Sequence, residues 1–317
     1  MKIILLSKGK KPVANIEQIN HCFPMLSYGL DLAFKKLGHE TLQVSQDDYI
    51  KKGIIDFSNF PQSDIVIHST ISEGFTPETY KQIKTKCKKY VSFFETITPY
   101  CDFSFSIKQK DNIKNHSIFA PYSPDFYQNI AKEPNTILLD HPYILYWVGN
   151  NTYRDISRQI WKWLEPLKNR YKIYTLTKQG IDASGDWKAQ TLKALPKYIT
   201  PIYDDVNPLE SRQTFNFKRY LEVTDRFENF VVTVWGSYNF SVIDMIVRGI
   251  RVLSPPNFIP NDSIRNFKIP TFENQEQLIK TLEVPIDKNL LQYQFEQCTP
   301  MNKVADIILE YFNKWIE

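Results

Sequence analysis

A run of small and polar residues follows the most strongly apolar strand-like segment of the chain, residues 230–235. Gly236 opens the run, and four residues behind it carry hydroxyl or amide groups: Ser237, Tyr238, Asn239 and Ser241. Where a turn of small residues joins a strand to a helix, backbone N–H groups can approach a diphosphate closely. The sequence therefore predicts a pyrophosphate-binding turn at this point.

An acidic residue, Asp244, lies three positions after Ser241 in the helix expected to follow this turn. Its carboxylate could accept hydrogen bonds from a ribose diol, as acidic residues do at dinucleotide sites. The same spacing also fits a purely structural arrangement, with Ser241 as the helix N-cap and Asp244 at the third helical position. The sequence leaves both interpretations open.

A second candidate junction begins at Gly149, which permits close backbone approach to a phosphate beside Asn150. Arg154 follows in the same stretch and could neutralise the phosphate charge. Arg154 is also the first arginine of the chain, and all nine arginines lie between it and Arg265. Because the guanidinium fork suits bidentate phosphate contacts, we expect a nucleotide site in the second half.

Two residues of the first half are candidate bases. His68 ends a predicted strand, and Glu95 follows the end of the next one. Either side chain could take a proton from a substrate hydroxyl, which is a usual task of a general base. A buried histidine with a structural hydrogen bond is an equally good interpretation of His68.

Five lysines crowd into nine residues: Lys81, Lys84, Lys86, Lys88 and Lys89. Such a run can contact an anionic membrane surface or nucleic acid, or it can form one solvated helix face. Asp204 and Asp205 have no adjoining histidine or third carboxylate, so we expect no metal site. The G-x-S-x-G, P-loop and G-x-G-x-x-G motifs do not occur, which disfavours hydrolase, P-loop and nicotinamide chemistry.

Alternating strands and helices must position these groups. In the first half we predict strands at residues 2–7, 41–44, 64–68, 90–94 and 103–107, with helices at 25–38 and 77–89. In the second half we predict strands at 144–148, 171–176, 230–235 and 251–254, with helices at 156–167, 217–223, 241–247, 276–282 and 302–315. This alternation is typical of parallel, doubly wound sheets, whose ligands bind beyond the carboxyl ends of the strands.

Composition agrees with a globular protein of two domains. The chain has 317 residues, of which 42% are hydrophobic and 23% charged, and its net charge of +4 is weak support for a polyanionic partner. No apolar window approaches the roughly 20 residues that a bilayer requires. The four cysteines lack C-x-x-C spacing, so we expect reduced thiols in a cytoplasmic protein, with peripheral contact to the inner membrane face left open.

Two segments carry a resemblance to a known family. The first helix leads into Gly38, His39 and Glu40, and residues 230–254 read FVVTVWGSYNFSVIDMIVRGIRVLS. Together they resemble glycosyltransferases of the GT-B architecture with a family 4-like donor-site pattern, and Gly149 matches the glycine loop that opens their donor domain. Many retaining members carry two glutamates in the second segment, whereas this chain has Gly236 and Asp244 at those positions.

The resemblance implies an α/β fold with two Rossmann-like domains facing a central cleft. Residues 1–135 would form the acceptor-side domain, residues 136–300 the donor domain, and residues 301–317 a helix packing back toward the first domain. The implied activity moves a sugar from a nucleotide-diphosphate sugar to a hydroxyl of a glycan, lipid-linked or other acceptor, without metal or cofactor. Two alternatives are a nucleotide-sugar epimerase of the same layout and a non-catalytic protein that binds sugar or nucleic acid.

Overall fold

A computed structural model describes residues 1–7, 13–19, 22–51, 53–69, 75–94, 100–106, 115–118, 120–128, 130–139, 151–178, 195–204, 217–233, 240–259 and 261–314. The chain divides into two compact units. The first contains Met1–Phe126 and Cys298–Glu317, and the second contains Tyr127–Gln297. None of the helices in the described ranges is both long and apolar enough to cross a membrane.

The described strands of the first unit are β1 (Lys2–Ser7), β2 (Glu40–Ser45), β3 (Ile50–Lys51), β4 (Ile54–Ile55), β5 (Ser63–His68), β6 (Cys87–Phe94), β7 (Phe103–Ser106), β8 (Asn115–Ser117) and β9 (Pro121–Tyr122). Six of them form a parallel sheet in the order β2-β1-β5-β6-β7-β8. Two helices of this unit are α1 (Cys22–Lys36) and α2 (Pro77–Lys84). The predicted β-α-β alternation of the first half is confirmed.

The apolar run in β1 shows why the sheet forms. Its four central residues, from Ile3 to Leu6, are fully buried, as expected for a parallel strand covered on both faces. Helix α1 ends before Gly38, whose φ of +79° is the left-handed conformation that a glycine adopts at little cost.

The prediction of a helix over residues 77–89 is wrong at its C-terminal end. Helix α2 begins as expected, with Thr76 as N-cap and Pro77 in the first turn, but it ends at Lys84. Cys87 already pairs with Ser63 in the sheet, so β6 starts three residues earlier than predicted. Strand pairing here overrides the helical preference of the lysines.

The second unit contains β10 (Thr136–Leu139), β11 (Lys172–Lys178), β12 (Ile199–Asp204), β13 (Asn229–Val231) and β14 (Arg251–Leu253). They form a parallel sheet in the order β12-β11-β10-β13-β14. The described helices are α3 (Asn151–Leu164), α4 (Phe217–Thr224), α5 (Phe240–Val247), α6 (Asn261–Phe267), α7 (Gln275–Glu283) and α8 (Lys288–Glu296). The order of the strands is that of a Rossmann-like unit.

Several elements of this unit differ from the predictions. The strand expected at residues 144–148 lies outside the described residues, whereas β10 at Thr136–Leu139 was not predicted. Strand β12 and helices α6 and α8 were also not predicted, and β13 ends at Val231 rather than at residue 235.

The chain returns to the first unit after Gln297. There β15 (Thr299–Pro300) pairs with β9, and α9 (Met301–Lys314) packs against α1. A Cβ at Gly29 of α1 would lie 3.2 Å from Met301 Cγ and 3.3 Å from Ser123 Cβ. Gly29 therefore allows α9 to approach α1 more closely than a larger residue would.

Candidate functional site

The strand order of the second sheet reverses between β10 and β13. Leu138 pairs with Phe230 and Leu139 with Val231, so the two strands end side by side. β11 and β12 extend the sheet beyond β10, and β14 extends it beyond β13. In open parallel sheets, ligands bind beyond the carboxyl ends of the strands at such a reversal. The topology therefore marks this edge of the second unit as a candidate ligand site.

The segments that follow β10 and β13 are those in which the sequence predicts diphosphate contacts. Five predicted donor residues belong to these segments and lie outside the described residues: Gly149, Asn150, Ser237, Tyr238 and Asn239. Their contacts stay predictions. The described part of the chain establishes that the strands leading toward the two segments are neighbours in one sheet.

Two helices begin directly after these segments. α3 starts at Asn151 and carries Arg154 in its first turn, although the side chain of Arg154 lies outside the description. α5 starts at Phe240, so Ser241 lies inside the helix and is not its N-cap. The capping interpretation of Ser241 and Asp244 is therefore wrong. Helix N-termini favour anions because their first N–H groups lack intrahelical partners.

The Asp244 carboxyl is engaged inside the second unit. Asp244 is 5% exposed, and its Oδ1 accepts a hydrogen bond from the Tyr127 hydroxyl. Burial raises its pKa to about 6, while the Arg248 charge and the hydrogen bond from the Tyr127 hydroxyl oppose that rise. The ribose contact expected of Asp244 stays a prediction.

Arg248 joins α5 to α4. Its Nη1 lies 3.1 Å from Asp225 Oδ1 and also donates to the Thr224 hydroxyl. Its Nε donates to the Asp244 carbonyl at 3.0 Å, and its guanidinium lies 5.4 Å from the centre of the Tyr220 ring. The side chain of Arg248 is 1% exposed. Arg248 thus has a structural task inside the second unit. Its position in residues 230–254 does not indicate this task.

Arg251 has a comparable task at the end of α7. Its guanidinium donates to the carbonyls of Thr281 at 3.1 Å, Leu282 at 2.9 Å and Val284 at 2.6 Å. Its Nε donates to Asn229 Oδ1 at 2.7 Å. The cation thereby satisfies carbonyls that a helix C-terminus leaves without intrahelical partners.

In the first unit the strand order reverses between β1 and β5, and His68 lies at this reversal opposite Leu6. His68 is 1% exposed, its Nδ1 lies 2.8 Å from the Tyr90 hydroxyl, and its ring stacks on Phe75 at 4.7 Å. Its Nε2 has no hydrogen-bond partner among the described residues. Burial lowers the pKa of His68 to about 3. The imidazole is therefore neutral at pH 7.

Two serines lie beside His68. Ser69 follows it and shares a hydrogen bond with Ser27 of α1, and both serines are 1% exposed. Ser69 N also donates to the Leu6 carbonyl at 2.9 Å, which extends the β1–β5 pairing. Glu95, the other predicted base, lies outside the described residues, so its position relative to His68 stays open.

The low pKa of His68 predicts a pH dependence of stability. Its folded value of about 3 lies below the ordinary 6.5, so the unfolded chain binds more protons between these values. Stability contributed by neutral His68 is complete above pH 6.5 and falls as the pH drops through this window. We expect His68→Gln to lose less stability than wild type between pH 7 and pH 4.5, measured as the urea midpoint. The pKa of His39 is also lowered, but His39 is only half-buried, so His39→Gln is the control and is expected to change the pH dependence less than His68→Gln. Equal losses in wild type and His68→Gln would contradict the assignment.

The lysine run is divided between two elements and is partly neutralised. Lys84 lies 2.5 Å from Asp102, Lys88 lies 2.7 Å from Asp64, and Lys81 lies 3.8 Å from Glu78. The run occupies the end of α2 and the start of β6, whereas His68 lies at the opposite, carboxyl-end edge of the sheet. These contacts favour the solvated-face interpretation of the run.

Within the described ranges, no group of three or more His, Cys, Asp or Glu side chains is placed to hold a metal ion.

Solved structures resemble this chain over almost its whole length. An alpha-glucosyltransferase in complex with UDP and a 13-mer DNA containing a central A:G mismatch has a TM-score of 0.62 at 12% identity, with 99% of each chain covered. The glycotransferase of kitacinnamycin has a TM-score of 0.55 at 11% identity, with 98% of each chain covered. A UDP-GlcNAc 2-epimerase from Methanocaldococcus jannaschii, in complex with UDP-GlcNAc and UDP, has a TM-score of 0.51 at 10% identity, covering 98% of this chain and 100% of that chain.

Sequence comparisons add nothing to this likeness. No protein-family model matches the chain, and no curated protein matches it. The structural likeness and the two parallel sheets establish the GT-B fold, with two Rossmann-like units in one chain. The fold expected from the sequence resemblance is confirmed.

Proposed function

We propose that the protein is a glycosyltransferase that moves a sugar from a nucleotide-diphosphate sugar to an acceptor hydroxyl. The observation that carries this proposal is the reversal of strand order at β10 and β13, from which the two segments with predicted diphosphate contacts follow. Likeness to an alpha-glucosyltransferase in complex with UDP, over 99% of this chain, supports the same function.

The second unit supplies the donor site in this proposal. The leaving group is a nucleoside diphosphate, whose growing negative charge must be stabilised as the bond to the sugar breaks. Backbone N–H groups of residues 149–150 and 236–239, together with the Arg154 guanidinium, would provide that stabilisation without a metal ion. Ser237, Asn239 and Ser241 would add hydroxyl and amide donors.

The acceptor is bound by the first unit in this proposal, at the reversal between β1 and β5. The similar solved structures include an alpha-glucosyltransferase in complex with UDP-glucose and DNA. A nucleic-acid hydroxyl is therefore a candidate acceptor, in addition to glycans and lipid-linked sugars. An inverting reaction requires a base, and His68 and Glu95 are the two proposed residues. With a pKa of about 3, His68 is a weak base at pH 7, which favours Glu95 for that task.

The proposal is tested by incubating the protein with UDP-, GDP-, ADP-, CDP- and TDP-sugars and measuring released nucleoside diphosphate with and without acceptors. We expect one donor to release its diphosphate, faster when a suitable hydroxyl acceptor is present. Arg154→Met is expected to slow turnover by about 100-fold, the usual cost of losing one group that stabilises developing negative charge. Arg158→Met, an exposed arginine on the same helix, is the matched control and should match wild type. Absence of turnover with all five donors, each offered with glycan, lipid-linked and DNA acceptors, would contradict the proposal.

A nucleotide-sugar epimerase is the second candidate, supported by the likeness to the UDP-GlcNAc 2-epimerase. The two activities differ in their products. A transferase consumes the nucleotide sugar and glycosylates an acceptor, whereas an epimerase converts one nucleotide sugar into another without any acceptor. Proton NMR of UDP-GlcNAc incubated with the protein alone distinguishes them, because only an epimerase produces a second set of anomeric signals from an intact nucleotide sugar.

If the acceptor is nucleic acid, the lysine run is expected to contribute little to its binding. We predict that Lys81→Gln, Lys86→Gln and Lys89→Gln together leave DNA affinity within twofold, because the run lies at the edge of the sheet away from His68. Filter binding at several salt concentrations measures the effect. Three lost phosphate contacts would reduce the salt slope by about 2 to 3, and such a reduction would contradict the prediction.

A further inference from the structure

Helix α5 is the element of the second unit that leads away from the predicted pyrophosphate turn, since it begins at Phe240. Its C-terminal end is tied to α4 through Arg248, the residue after Val247, which contacts Thr224, Asp225 and the Leu221 carbonyl. Its middle is tied to a different segment through Asp244 and Tyr127. The helix is thus fixed from two directions within one unit.

Tyr127 opens the second unit and lies 117 positions before Asp244 in the chain. Its hydroxyl donates to Asp244 Oδ1. This partner comes from a segment other than α5. A rigid α5 would hold its N-terminal residues in one place, which is what a binding turn requires of the helix behind it.

A buried carboxylate is an energetically unfavourable group with which to hold a helix in place. Removing a charge from water is unfavourable unless hydrogen bonds and counter-charges compensate, whereas an apolar side chain would fill the same space without that penalty. Asp244 keeps its carboxyl at 5% exposure, one turn before Arg248, which directly follows α5. Its hydrogen bond with Tyr127 has direction, which apolar packing lacks, so it can fix both the rotation and the position of α5.

We infer that Tyr127 is a positioning residue of the proposed donor site, which holds Asp244 and thereby fixes α5 behind the diphosphate. This inference rests on the proposed function and deepens it. Asp244 then acts through its bond to Tyr127 and does not contact the ribose. Asp244 is 5% exposed and its Oδ1 already accepts the Tyr127 hydrogen bond, so little of this carboxyl is open to a ribose diol.

The test compares nucleotide affinities by isothermal titration calorimetry. Wild type is titrated with UDP first and then with GDP, ADP, CDP and TDP. The nucleotide that binds most tightly, and its 2′,3′-dideoxy analogue, are then titrated into every variant. We expect Tyr127→Phe to weaken both ligands by about the same factor, five- to tenfold, with kcat within twofold of wild type. Tyr293→Phe is the matched control, because Tyr293 lies in α8 and its contact with Lys268 is made by the ring, which phenylalanine keeps.

Asp244→Asn keeps an oxygen that can accept the Tyr127 hydrogen bond, so it provides a second, milder variant. We expect it to retain the ligand affinity within threefold and to retain the wild-type preference between the two ligands. Asp244→Leu removes the acceptor and should weaken binding as Tyr127→Phe does, with no further loss in the double variant.

The outcomes separate the two proposals. If wild type binds none of the five diphosphates, the proposed function and the positioning role are both overturned. If wild type binds but Tyr127→Phe binds equally well, only the positioning role is overturned. It is also overturned if Asp244→Asn loses tenfold affinity for the ribonucleotide while its affinity for the dideoxy analogue is unchanged, since that result identifies a ribose contact.

Discussion

Replacing Arg248 with methionine is expected to lower the free energy of unfolding by about 3 to 5 kcal/mol, the usual result of removing one partner of a buried ion pair. The Arg248 side chain is 1% exposed and that of Asp225 is 6% exposed. Methionine fills part of the space but leaves the Asp225 carboxylate, 3.1 Å from Nη1 in wild type, without its counter-charge. It also leaves the hydrogen bonds to Thr224 and to the Asp244 carbonyl unmade.

Urea unfolding followed by tryptophan fluorescence measures this effect. Five of the six tryptophans lie in the second unit: Trp147, Trp161, Trp163, Trp187 and Trp235. The double variant Arg248→Met with Asp225→Asn should recover part of the loss, because position 225 then no longer carries a charge without its partner. A loss below 1 kcal/mol in the single variant would contradict the ion pair.

Replacing Arg251 with lysine is expected to cost about 2 to 4 kcal/mol, since each hydrogen bond from a charged group is worth about 1.5 to 3 kcal/mol and several are lost together. Lysine retains the charge but cannot reproduce the planar fork that reaches three carbonyls at the end of α7 and Asn229 at the start of β13. The loss of stability in this variant therefore measures the contribution of the guanidinium geometry, because the charge is retained.

The same urea transition measures the Arg251 variant. Arg158→Met on α3 is again the control, because Arg158 is exposed and should change stability by no more than about 0.5 kcal/mol. An Arg251→Lys protein as stable as wild type would mean that charge alone, rather than the guanidinium fork, holds the end of α7.

Strongly patterned elements of the fold could be predicted from the sequence. The apolar run of β1 and the amphipathic pattern of α1 each led to the observed element, and β5 ends at His68 as predicted. Gly38 and Gly249 marked the helix ends before them, and both have positive φ values, +79° and +67°. These features depend on neighbours in the chain, which a sequence displays directly.

Elements set by long-range pairing were harder to predict. β10 is a four-residue strand at the centre of its sheet, and a short continuous apolar run of that kind cannot be distinguished by periodicity from other apolar runs. The start of β6 was missed for a related reason, because its two lysines, Lys88 and Lys89, favoured a continuing helix.

In the candidate site, too, local features could be predicted from the sequence and long-range contacts could not. The spacing of Asp244 from Ser241 is enough to make it a candidate, but its partner Tyr127 is 117 positions away and no local pattern connects the two. The sequence does not indicate the tasks of Arg248 and Arg251, because their partners are a carboxylate and a helix end on other elements. Partners brought together by tertiary packing become visible only in the folded chain.

Calorimetric titration of the whole chain with UDP, GDP, ADP, CDP and TDP tests whether the second unit holds an activated sugar by its diphosphate. We predict saturable binding of at least one of them at a single site, weakened about tenfold by Arg154→Met and unchanged by Arg158→Met. No heat of binding with any of the five, from protein that is folded by circular dichroism, would contradict it.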